Sequence, residues 1–106
     1  MAHLKMLDSM TYAEFKATLA EPAPPSSVHE LLVALWYDAN DDWEQAHEVA
    51  QSNEGSKNYD QLHAYLHRKE GDNWNARYWY TRAKSSVFVG SLADEWEMLV
   101  KQFLTL

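Results

Sequence analysis

HAYLHRKEGDNWNARYWY, residues 63–80, is the stretch that decides how this chain is read. Two histidines stand four apart, Glu70 follows the second by three, and Gly71-Asp72 precedes a run with two tryptophans and two tyrosines. Moved back by 30 residues, its last 17 residues lie over ALWYDANDDWEQAHEVA (34–50), with Ala64 on Ala34, Asp72 on Asp42 and Ala76 on Ala46. Repeats of roughly 20–50 residues are the mark of stacked helical hairpins. Glycine adopts the left-handed conformation that closes a helix, and aspartate caps the start of the next one. The stretch therefore reads as helix, Gly-Asp turn, helix.

Working outward, helix starts recur along the chain. Thr11-x-x-Glu14 opens an N-terminal helix placed within residues 8–20. EPAPPSS, residues 21–27, breaks it, because proline cannot continue a helix. Ser27-x-x-Glu30, Asp42-x-x-Gln45 and Asn58-x-x-Gln61 mark three further starts, Asp72 or Asn73 a fourth, and Ser91-x-x-Asp94 a last helix ending near Leu104. Leu92, Trp96, Leu99, Val100, Phe103 and Leu104 give that last helix one apolar face. The lone VFV at 87–89 has no partner with which to make a sheet. The expected architecture is all-α, five to six helices in one domain over 1–106. Two antiparallel hairpins fill 28–84, and a capping helix fills 91–104.

The hairpins resemble the tetratricopeptide repeat. Ala64, Gly71, Asp72, Ala76, Tyr80 and Ala83 match its pattern in the second unit. Val33, Ala34, Tyr37, Asp42 and Ala46 match in the first, where Asp41 replaces the turn glycine and Ala50 the aromatic. AYLHRKEGD followed by N-x-x-YWY-x-RA also resembles a family of small bacterial proteins. That likeness implies a compact helical fold and no established activity.

Composition narrows the function. With 46% apolar residues the chain is not a disordered segment, and without cysteine it has no disulfide, thiolate ligand or thiol nucleophile. No signal-like leader or membrane-length apolar run is present, so a cytoplasmic protein with no membrane partner is expected. A net charge of −7 argues against DNA as a partner. Residues 61–90 nevertheless hold 5 basic and 2 acidic side chains, an island of +3 that suits an anionic partner.

His63, His67 and Glu70, at i, i+4 and i+7, share one helix face and form the candidate polar site. They lack the zincin order, since Ala64 follows the first histidine. A metal centre would need His47, or His29-Glu30, to complete it, so no metal and no cofactor is assigned. The sister positions, Val33 and Tyr37, place the two histidines against the partner helix of their own hairpin. At about 100° per residue, Trp74, Arg77 and Tyr78 share one side of the following helix. Ala76, Trp79, Tyr80 and Ala83 form its packing face. Trp74, Arg77, Tyr78 and Arg82 are the candidate contact surface, because aromatics and arginine dominate binding hot spots. No serine elbow or phosphate loop appears. The expectation is a noncatalytic binding or adaptor module for a protein or small anionic ligand. The alternative is a small-ligand or metal-dependent enzyme centred on His63, His67 and Glu70, and stackable hairpin ends make self-association a third expectation.

Overall fold

The computed structural model describes residues 10–106. Among them are six α-helices and no strand: α1 (Tyr12–Ala17, continued by a 3-10 turn, Thr18–Ala20), α2 (Glu30–Ala39), α3 (Trp43–Gln51), α4 (Lys57–Lys69), α5 (Asn73–Arg82) and α6 (Leu92–Phe103). None is long and apolar enough to cross a membrane. The all-α expectation holds. Residues 8 and 9 of the expected first helix lie outside the described residues.

Two turns 30 residues apart are built alike. Asp41 and Gly71 both take positive φ, 65° and 87°. After α2, the Asp42 amide donates to Tyr37 O at 2.8 Å and the Asp41 amide to Asp38 O at 3.1 Å. After α4, Asp72 donates to His67 O at 2.9 Å and Gly71 to Arg68 O at 3.0 Å. These paired bonds are the Schellman arrangement, which satisfies the last helical carbonyls. Asp42 and Asp72 then accept the amides of Gln45 and Asn75, each at 3.2 Å, starting α3 and α5. One three-residue segment ends one helix, reverses the chain and caps the next. The same closure follows α5, with Lys84 at φ 56° and Ser85 donating to Tyr80 O at 3.0 Å.

Two starts differ from expectation. α2 is capped by His29, whose Nδ1 accepts the Leu31 amide at 3.1 Å, and not by Ser27. α4 begins after Ser56, which makes no side-chain cap. Asn58 and Gln61 instead accept from Gln102 Nε2 of α6, at 2.8 and 2.7 Å. Tertiary partners have claimed the side chains that the capping pattern would use locally.

α2 packs on α3, α3 on α4, α4 on α5, and α6 lies across α2 and α4. The main core gathers Phe15, Leu31, Leu35, Leu62, Leu66, Leu99, Val100 and Phe103. α5 has its own small cluster, Ala76, Trp79 and Tyr80 against Ala64. α1 is docked within the chain: Phe15 is fully buried and faces Trp96 at 6.1 Å. Indole N–H groups tie neighbouring elements, with Trp36 donating to Thr18 O at 2.9 Å, Trp96 to Leu35 O at 3.1 Å and Trp43 to Leu66 O at 2.8 Å.

Two charged residues on α4 clamp its neighbours. Arg68 pairs with Glu95 of α6 and Lys69 with Asp38 of α2, each at 2.8 Å. Both carboxylates are buried, and each also accepts a tyrosine hydroxyl: Tyr65 on Asp38 at 2.7 Å, Tyr80 on Glu95. Burial pushes the Glu95 carboxyl up, against the opposing pull of Tyr80 and Arg68. Two of the five cations in the basic island are thus paired with buried carboxylates of the fold.

Gly71→Ala is expected to lower stability by about 1 kcal/mol, and Lys84→Gly to raise it by about 0.5–1 kcal/mol, because only glycine takes positive φ without cost. Urea unfolding of the two variants checks both signs. Glu95→Ala, which strands the Arg68 guanidinium and the Tyr80 hydroxyl, is expected to cost about 3 kcal/mol, with part recovered in Glu95→Leu/Arg68→Met. The same urea curves measure this.

Candidate functional site

The structure brings three imidazoles together where α3 meets α4. His63 and His67 come from successive turns of α4, and their rings stack at 4.9 Å. His47 reaches them from α3, with its Nε2 3.0 Å from His63 Nε2. The His47 and His67 rings are 5.3 Å apart. Two indoles close the cluster: Trp43 lies flat on His47 at 4.7 Å, and Trp79 lies flat on His63 at 3.9 Å. Trp43 and His47 are four apart on α3, so the helix itself presents them side by side.

The expected placement is met in part, since Trp79 of the partner helix α5 lies on His63. His63 and His67 do not simply face the partner helix of their own hairpin. They sit between hairpins, with α3 of the first on one side and Trp79 of α5 on the other. Glu70 is not a third member of the cluster. Its carboxylate lies 2.7 Å from His67 Nδ1 at the exposed rim. A carboxylate only accepts, so Nδ1 carries a proton.

Burial sets the electrostatics. His63 is 3% exposed, and its Nδ1 has no hydrogen-bond partner among the described residues. Burial, with His47 and His67 adding repulsion, pushes its pKa down to about 3. Burial and then His67 also lower that of His47. The interior is a neutral imidazole pair joined by one hydrogen bond.

The remaining candidates form a separate surface on α5. Trp74 is 69% and Tyr78 44% exposed, and their rings lie parallel at 6.3 Å. Arg82, one turn further on, donates to the Tyr78 hydroxyl at 3.0 Å. Its guanidinium lies over the Tyr78 and Trp79 rings at 5.8 and 5.3 Å. Arg77 is exposed beside them. Among the described residues neither arginine has an ionic partner within 4.0 Å. The seven candidates therefore divide into a histidine group and an aromatic-arginine group, with Trp79 beneath both. An open groove of about 370 Å³ between α1, α4 and α6, floored by Asp38, Tyr65 and Lys69, holds none of them.

His47, Trp43 and Trp79 are what the sequence underplayed. The i, i+4 pairing of Trp43 with His47 was the available signal. Its meeting with His63, 16 residues on, depends on how two hairpins stack.

The lowered pKa of His63 has a sign. Unfolded, it protonates near 6.5; folded, it stays neutral to about 3. Its contribution is therefore fully present above 6.5 and is lost as pH falls, by about 1.4 kcal/mol per pH unit. Urea midpoints between pH 7 and 4 should fall more steeply for the native chain than for His63→Leu. Equal slopes would place His63 in water.

No family model, no curated protein and no solved structure matches this chain; the histidine cluster and the aromatic stripe stand on their own chemistry.

Proposed function

We propose that the chain is a noncatalytic binding module, two tetratricopeptide-like hairpins with terminal caps, working in the cytoplasm on an acidic segment of a protein partner. One observation carries this: Trp74 stands out of the surface at 69% exposure, stacked with Tyr78, in a chain that buries Trp36, Trp79 and Trp96 and half-buries Trp43. Exposing a large aromatic pair wastes burial that the fold elsewhere uses. Such groups, with arginine, are the usual anchors of an interface.

The charges favour an acidic partner. With Arg68 and Lys69 each paired to a buried carboxylate, Arg77, Arg82 and Lys84 are the exposed cations of the basic island with no ion-pair partner among the described residues. α5 packs chiefly on α4, so among the described residues its outer side is uncovered. Arg82, already braced on Tyr78, loses little freedom on pairing with a carboxylate.

An array of Asp/Glu-rich peptides with and without apolar positions, read by tryptophan fluorescence, tests this. Saturable binding that weakens with salt is expected. Trp74→Ala and Arg82→Ala should each weaken it by about tenfold, while stability stays within about 0.5 kcal/mol. Binding indifferent to both substitutions, or none across the array, would contradict the reading. Light scattering in parallel reports whether a second copy of the chain is the occupant instead.

A further inference from the structure

We propose that His47, His63 and His67 form a binding site for one transition-metal ion of the zinc, cobalt or copper(II) type. One ring nitrogen from each residue lies within 4.8 Å of the other two. The site is distinct from the α5 stripe and does not depend on the acidic-peptide reading.

Four observations carry it. First, the 3.0 Å between His47 Nε2 and His63 Nε2 approaches the separation of about 3.3 Å between two nitrogens bound to one tetrahedral zinc. Second, the Glu70 carboxylate on His67 Nδ1 is the arrangement that orients a ligating imidazole and leaves Nε2 as the donor. Third, His63 Nδ1 is buried with no protein partner, so the nitrogen that His63 turns toward His47 and has available for an ion is Nε2. Fourth, the sister hairpin puts Val33 and Tyr37 at the positions of His63 and His67, so the hairpin itself needs no histidine there.

The donor set chooses the metal. Three imidazoles and no thiolate suit borderline ions such as zinc, cobalt and copper(II), and they disfavour calcium and magnesium, which take oxygen. A metal binds the unprotonated nitrogen of each ring, so binding is expected to weaken as pH falls. The flat indoles of Trp43 and Trp79 wall the cluster on two sides and hold His47 and His63 in place. A set of three protein ligands leaves a fourth position for water or a small anion.

The test uses the full chain without an affinity tag, stripped with chelator and titrated with zinc chloride and cobalt chloride by calorimetry. One ion per chain is expected, with quenching of tryptophan fluorescence by cobalt, since two indoles touch the ligands. His47→Gln and His67→Gln should each weaken binding by at least about tenfold, and Glu70→Gln by about tenfold with the stoichiometry kept. His29→Gln should change nothing. His63 is fully enclosed and its substitution risks the fold, so the decisive variant is His47→Gln/His67→Gln, both only part-buried, with circular dichroism confirming native helix. No saturable binding by the native chain overturns the proposal. So does a native-strength site in the folded double variant.

Discussion

The seam between α3 and α4 is the constraint on which the rest depends. Each hairpin is nearly self-specifying, because its turn and caps lie within a few residues. Joining the two requires α3 to lie on α4, and there the buried Ala46 and Ala50 enter the main core beside Leu62 and Leu66, while two polar contacts cross the seam: the His47–His63 bond and the Trp43 indole on the Leu66 carbonyl. Burying imidazole is favourable only while it stays uncharged and hydrogen-bonded. The seam therefore links the fold to the protonation state of His47 and His63, and it sets the distance at which their nitrogens converge.

From that seam outward, the molecule separates tasks. The main core and the clamps from Arg68 and Lys69 hold α4 between α2 and α6. α5 is attached mostly through α4 and keeps a small cluster of its own. That peripheral position leaves Trp74, Arg77, Tyr78 and Arg82 facing outward while Trp79 and Tyr80 face in. One helix thereby serves two sites: its inner Trp79 packs on the histidines, and its outer stripe offers a contact surface.

What the sequence showed plainly was local. The caps at Thr11, Asp42, Asp72 and Ser91 were legible because each depends on residues within about four positions, and the Gly-Asp turn was marked by its own two residues. The division of α5 into packing and outer faces followed from helical periodicity alone. Less legible were features set by tertiary competition. Asn58 and Gln61 look like a helix start but bind Gln102, and His29 takes the cap expected of Ser27. Glu95 lies on what reads as an apolar face, and its partners stand 27 and 15 residues away. The third histidine was visible only as one of several options, because no spacing rule ties α3 to α4.

At the seam, the buried His47–His63 pair is neutral and joined by one hydrogen bond. Long-range proton–nitrogen NMR of the histidine rings in the chelator-treated chain tests it most directly. His63 is expected to stay neutral when the pH is lowered to 5, with His67 carrying a proton on Nδ1. A His63 ring that protonates near 6.5, as a free imidazole does, would contradict it.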